Sequence, residues 1–146
     1  MSVIVDSCVW RDYYAPPTSR EGLERIRPWN EALDRLLDAE SARISVINLI
    51  ELEGLFGSGR SRFMLNSILG SCREPIPIVR DDVALAVRLT RKMRSAVPPK
   101  RAGAADLLIA AAAIRRGMRI LSCDHHFYDI RDSGSNALKL EVPHRP

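Results

Sequence analysis

The chain has 146 residues, 46% of them apolar and 27% charged. This length and composition fit one domain, residues 1–146, burying roughly two-thirds of its unfolded surface, and they exclude a disordered chain. The 22 Lys and Arg outnumber the 18 Asp and Glu, giving a net charge of +4, which permits an acidic partner without naming one. Arginine supplies most of the positive charge, and its planar guanidinium suits phosphate contact. No apolar run reaches the ~20 residues of a membrane span, and no signal-like segment precedes the first strand. Cys8, Cys72 and Cys123 are odd in number and lack a CxxC spacing, which argues against a disulfide framework or zinc knuckle. Reduced thiols in a cytoplasmic protein are expected.

Residues 2–6 predict a strand. Val3-Ile4-Val5 is β-branched and apolar throughout, as in a strand covered on both faces, and it ends on Asp6. Ser7 to Val9 start a helix or turn. Asp12 to Gly22 reads as a loop or broken helix, because Pro16, Pro17, Thr18, Ser19 and Gly22 interrupt regular structure. Leu23, Ile26, Trp29, Leu33, Leu36 and Leu37 then recur at helical spacing up to Ala39. Pro28 either kinks this helix or opens a second one.

Arg43 to Val46 is the next strand. Asn48 is a candidate cap for the helix after it, with Glu51 in the first turn. Gly57-Ser58-Gly59 breaks this helix, and a second piece runs from Arg60 to Leu69. Ile76 to Val79, flanked by Pro75 and containing Pro77, is an edge or extended segment. Asp81 can cap a helix whose stripe is Val83, Leu85, Ala86, Leu89 and Met93. After a loop at 98–103, an Ala-rich helix spans Ala104 to Arg116 and stops at Gly117. Met118 to Leu121 is a strand leading into Ser122-Cys123-Asp124, and His125 to Phe127 turns away. Leu138 to Val142 is a last strand before a polar tail with His144. This order is α/β with a mostly parallel sheet.

Four acidic residues share one type of location. Asp6 and Asp124 follow strands, while Glu51 and Asp106 begin helices. Strand ends and the starts of following helices meet at one edge of a parallel sheet. The helix of Asp106 precedes its strand, so its start reaches that edge if it runs antiparallel to the strand. Converging carboxylates repel one another unless a hard cation such as Mg²⁺ lies between them. Each position also has a structural explanation. The helix dipole favours acids in a first turn, and a strand-terminal Asp forms turns. Only the coincidence of four favours a site.

Ser7 and Ser122 can orient a carboxylate or water, or cap a turn. Arg11, Lys100 and Arg101 are candidates for phosphate-backbone contact, against a plain solvated surface. Tyr13, Tyr14 and Trp10 can stack on bases, with Trp10 better suited to the core. Glu53 points to the surface, and Asp81, Asp82, Asp129 and Asp132 read as caps and turns. Nothing points to Zn²⁺. Neither a phosphate-binding Gly-rich loop nor a GxSxG elbow is present.

These segments together resemble the PIN-domain family, and within it the VapC toxins of toxin–antitoxin pairs. The matching stretches are Val3-Ile4-Val5-Asp6-Ser7, the run from Ile44 through Glu51-Leu52-Glu53-Gly54-Leu55, Ala105-Asp106-Leu107-Leu108-Ile109-Ala110-Ala111, and Leu121-Ser122-Cys123-Asp124-His125-His126-Phe127. The Pro16-Pro17 segment is longer than the link usual after strand one, and Cys123 stands where a polar residue is more usual. The resemblance implies a PIN-like fold with helices on both faces of the sheet. It implies a Mg²⁺-dependent (or Mn²⁺-dependent) endoribonuclease with Asp6, Glu51, Asp106 and Asp124 around the metal. It also implies a cognate antitoxin, an RNA substrate and a homodimer. A housekeeping RNA-processing nuclease is one alternative. A catalytically silent RNA-binding or protein-interaction module is another. A phosphatase-like Mg²⁺ hydrolase is the third, and Asp6-Ser7-Cys8-Val9 lacks the more elaborate motif it requires.

Overall fold

The structure, a computed structural model, describes residues 1–56 and 58–143. The break expected at Gly57 and the tail residue His144 lie outside the described residues. In chain order the elements are β1 (Val3–Val5), α1 (Ser7–Tyr14), α2 (Arg20–Asp38), β2 (Ala42–Arg43), α3 (Val46–Leu55) and α4 (Ser58–Ser71). They continue with α5 (Arg80–Arg94), α6 (Ala104–Arg116), β3 (Arg119–Leu121), α7 (His126–Ser133) and β4 (Lys139–Leu140). Among the described residues no helix is long and apolar enough to cross a membrane.

The sheet order is β2-β1-β3-β4 and every pairing is parallel. The chain steps from β1 to β2 on one side, while β3 lies on the other. The crevice beyond the carboxyl ends of β1 and β3 is therefore a topological switch point, where open α/β sheets bind ligands. Side chains alternate across the sheet. Val3, Val5, Ala42 and Leu121 pack with Val9, Trp10, Leu33, Leu52 and Ile68 on one face. Ile4 and Ile120 pack with Leu89, Ile109, Phe127 and Ile130 on the other. Helices thus cover both faces.

Several boundaries differ from the sequence reading. Helix α1 continues through Asp12 and Tyr13 to Tyr14, where the Tyr14 ring stacks on buried Trp10 at 6.3 Å. The interruption is confined to the residues after it. Ser19 caps α2 by accepting from the Gly22 amide at 3.0 Å. A Cβ on Gly22 would lie 2.7 Å from Pro17 Cβ, so glycine is what allows the Pro segment to fold back here. Pro28 sits inside α2 without dividing it, because buried Gly22, Ile26, Ala32 and Leu33 hold both halves against the core. Strand β2 is shorter than expected, and Val46 already belongs to α3. Ile76 makes a single parallel bridge to Ser45. Helix α7 forms where only a turn was expected, anchored by buried Phe127 and Ile130. Gly117, with φ 63°, ends α6 in the left-handed conformation that glycine adopts freely.

Asp81 is not the cap of α5. It is exposed, and Asp82 fills that role: its Oδ2 accepts from the Val79 amide at 2.9 Å. Fully buried Asp82 also joins α5 to the end of α6, accepting from Arg115 Nη1 at 2.7 Å and Arg116 Nη1 at 3.0 Å. Burial alone would raise its pKa. Hydrogen bonds from Arg116, the Val79 amide and Arg115 outweigh burial and hold the carboxyl below its usual range. Asp82→Asn keeps the shape and removes the charge, and should cost about 2 kcal/mol in urea unfolding at pH 7. A depressed carboxyl stabilises above its unfolded pKa, so this difference should shrink as pH falls below 3.8.

Candidate metal centre

The end of β1 places Asp6. Its amide donates to the Leu121 carbonyl at 2.9 Å, fixing it between β1 and β3. Asp6 stands at the N-cap position of α1, yet its side chain makes no cap hydrogen bond. Instead Oδ1 accepts from Asn48 Nδ2 at 2.9 Å and Oδ2 from Ser122 Oγ at 2.7 Å. The turn-forming explanation does not account for a carboxylate only 6% exposed and held from two other segments.

Glu51 lies in the second turn of α3, not the first, because the helix opens at Val46. The helix dipole is therefore a weaker reason for an acid there. Its Oε2 accepts a hydrogen bond from Ser7 Oγ. Asn48 is not the cap either. Ser45 caps α3, accepting from the Asn48 amide at 3.1 Å. Asn48 is fully buried one turn before Glu51. Its Oδ1 accepts from Ser45 Oγ at 2.6 Å, and its Nδ2 donates to Asp6, to Ser7 Oγ at 3.0 Å and to Glu51 Oε2 at 3.4 Å. One amide thus links the β1–α1 junction to α3.

Asp106 is in the first turn of α6, whose start lies at the same edge, beside His126. His126 Nδ1 lies 3.8 Å from its Oδ2. Burial, and then the charges of Asp6 and Asp124, push the Asp106 carboxyl up to about 6; His126 opposes the rise and Glu51 adds to it. Asp124 partly satisfies the structural reading, since its Oδ1 accepts from the His126 amide at 2.9 Å at the start of α7. The His126 imidazole Nδ1 lies 2.8 Å from the same oxygen. Burial would raise Asp124, but the His126 amide and imidazole outweigh it and hold its pKa below the usual range. The Asp124 amide donates to Ser122 Oγ at 2.9 Å, so Ser122 connects Asp124 to Asp6.

Cys8 Sγ lies 3.4 Å from Asp6 Oδ2 and 3.5 Å from Ser122 Oγ, and accepts from the Cys123 amide at 3.4 Å. A hydrogen bond shared with the Cys123 side chain, followed by burial, raises the Cys8 pKa strongly and keeps the thiol protonated.

Among the described residues, donor atoms within 4.8 Å of one another come from Asp124, His125 and His126, a cluster that can coordinate a metal ion. Asp6, Glu51 and Asp106 are not among these close-packed donors, but Asp106 lies 3.8 Å from His126 and feels the charges of Asp6, Asp124 and Glu51. This spread fits an ion that keeps several waters and takes one or two carboxylates directly, as Mg²⁺ does. Counting the four carboxylates with His125 and His126, most of the donors are hard oxygens, and Asp106 is raised first by burial and then by the neighbouring carboxylate charges. Both features fit a divalent cation. The carboxylates suit Mn²⁺ as well as Mg²⁺, whereas the imidazole nitrogens of His125 and His126 beside Asp124 are ligands that suit Zn²⁺ or Fe²⁺.

Of the cationic candidates, Arg11 pairs with Asp12 at 3.1 Å and Lys100 with Asp129 at 3.6 Å, while Arg101 is exposed before α6. Trp10 is fully buried. The Tyr13 hydroxyl donates to Asp34 at 2.8 Å, and this bond, with burial, pushes its pKa up to about 12.

A family model described as the PIN domain matches residues 3–133. The chain belongs to the PIN-domain family. Its PIN fold also resembles several solved structures. VapBC2 from Rickettsia felis, bound to a DNA fragment from its promoter, superposes with a TM-score of 0.72 at 19% identity, over 97% of this chain and 98% of that one. FitAB bound to an IR36 DNA fragment gives 0.70 at 21% identity, over 99% and 97%. FitAcB from Neisseria gonorrhoeae gives 0.68 at 22% identity, over 97% of each chain. At these identities the likeness is one of fold. Comparison with curated proteins finds no match.

Sequence reasoning passed over Asn48 and His126 as site residues. Asn48 lies three residues before Glu51, a spacing that puts both on one helix face. His126 lies two residues after Asp124, within reach of its carboxylate.

Proposed function

We propose that this PIN domain is a divalent-metal-dependent endoribonuclease, acting in the cytoplasm as the toxin of a toxin–antitoxin pair. The observation that carries the reading is the arrival of Asp6, Glu51, Asp106 and Asp124 from four segments at the switch point of the sheet. Asp6, Asp106 and Glu51 would hold Mg²⁺ or Mn²⁺, directly or through water, with Asp124 completing the acidic set. The bound cation supplies activation of water and offsets charge on the phosphoryl group being attacked. The protein's own part is positional. Ser122 and Asn48 orient Asp6, Ser7 orients Glu51, and His126 orients Asp124. Arg11, Lys100 and Arg101 would hold the flanking phosphates, which fix register without reading sequence.

The PIN-family match and the fold shared with VapBC2 and FitAB support the toxin role, and with it an antitoxin partner and a homodimer. Ile50 at 72% and Phe63 at 70% exposure, with Leu55, leave apolar surface on α3 and α4 that such a partner would cover.

Purified total RNA incubated with Mg²⁺, Mn²⁺ or EDTA tests the activity. Discrete fragments that disappear with EDTA are expected. Intact RNA in every metal, from folded protein free of co-purified inhibitor, would favour a silent binding module. Asn48→Ala should lower cleavage about 10- to 100-fold, the usual effect of removing an outer hydrogen-bond partner at a metal site. Its circular dichroism spectrum should remain that of the native chain. Unchanged cleavage would remove Asn48 from the site.

A further inference from the structure

We propose that the pocket beside Trp29 is a nucleotide subsite, which takes the base and phosphate of the RNA unit next to the cleaved bond. The inference rests on the nuclease reading and assigns Arg25 and Trp29, which that reading does not use. The pocket has a volume of about 380 Å³ and lies between α1, α2 and Cys123. Cys123 lies in sequence between Ser122, which binds Asp6, and Asp124, so one lining residue adjoins the segment that carries the site's carboxylates, though none of them lines the pocket itself. Its floor is apolar, made by buried Val9 and Ile26.

Trp29 forms one wall. Its Nε1 donates to the Ser122 carbonyl at 3.3 Å, which ties the indole to the segment carrying Asp124. Arg25 lies one helical turn before Trp29 and therefore on the same side of α2. Among the described residues it makes no ion pair. Arg11 is the second guanidinium, held by Asp12, which also lines the pocket. An apolar floor, an indole wall and an unpaired guanidinium together match a base joined to a phosphate. Stacking on an aromatic ring tolerates any base, and an Arg fork suits phosphate oxygens. A pocket for an apolar peptide side chain would have no use for Arg25.

The test is a fluorescence titration of the full chain in EDTA with AMP, CMP, adenosine and inorganic phosphate. Of the two tryptophans Trp10 is fully buried, so a response at the surface reports on Trp29. AMP or CMP should give a saturable change, with adenosine and phosphate each weaker. Arg25→Ala, an exposed change on α2, should weaken nucleotide binding about 10-fold or more. In the RNA assay it should raise KM more than it lowers kcat. No saturable response to either nucleotide, or equal affinity in Arg25→Ala, would overturn the subsite and leave a protein segment as the occupant. The two readings fail distinguishably. RNA cleavage without nucleotide binding removes only the subsite, whereas nucleotide binding without RNA cleavage removes the nuclease and, with it, the place of the pocket beside a cleaved bond.

Discussion

Asp6→Asn is expected to lower metal-dependent RNA cleavage by about 10³-fold or more, equivalent to about 4 kcal/mol of lost transition-state stabilisation. Asp6 is the residue at which the site's connections meet. It receives Asn48 and Ser122, contacts Cys8, and its charge acts on Asp106. Asparagine keeps the shape. Its oxygen can still accept from Asn48, and the Ser122 hydroxyl can turn to accept from the new amide. The fold should therefore persist while the charge that attracts a cation is lost. Cleavage rates of the two proteins at saturating Mn²⁺, alongside their circular dichroism spectra, check this. A variant that is folded and within about 10-fold of native cleavage would contradict the role given to Asp6.

Asp106→Asn should act in opposite directions with and without metal. In the metal-free chain, burial and then the Asp6 and Asp124 charges raise the Asp106 pKa from 3.8 to about 6. A group raised in the folded state binds more protons there than in the unfolded chain. The contribution of Asp106 is then most favourable below pH 3.8 and declines as pH rises through about 6. That interval corresponds to about 3 kcal/mol at pH 7.5. Asp106→Asn removes the ionisation, so in EDTA at pH 7.5 the variant should be the more stable protein, melting about 5–10 °C higher. At pH 3.5 the two should melt together. Adding Mn²⁺ should raise the melting temperature of the native chain, because a ligand that binds only the folded state stabilises it. The variant should gain little. If the variant melts lower than the native chain in EDTA at neutral pH, charge repulsion is not what Asp106 experiences.

The parts of the fold that were legible in the sequence are those where local preference and tertiary packing agree. Val3-Ile4-Val5 is apolar at every position because both faces of β1 are covered, and the Ala-rich helix ends where Gly117 requires it to. Helices α1 and α7 were cut short or missed because they have 8 residues each, little more than two turns, with few buried positions to reveal a period. Pro28 misled for a related reason, since a breaker signal is local and the stripe that overrides it is not. Within the site, strand ends and helix starts were readable as carriers of acids. The hydrogen bonds that orient the acids were not. Asn48 has the composition of a cap, and its burial between Asp6 and Glu51 depends on α1 lying against α3, which no local pattern states. Ser7 and Ser122 could be named because each adjoins or nearly adjoins an acid in sequence.

The acids at the switch point are proposed to form one divalent-cation site. Calorimetric titration of the native chain with Mn²⁺ at pH 6 tests it most directly, because it requires no substrate. Saturable binding is expected, lost in Asp6→Asn and Asp106→Asn, with protons released as the metal displaces them from Asp106. Repeating the titration in buffers of different ionisation enthalpy measures that release. Absence of saturable binding, or binding equally strong in both variants, would contradict the account.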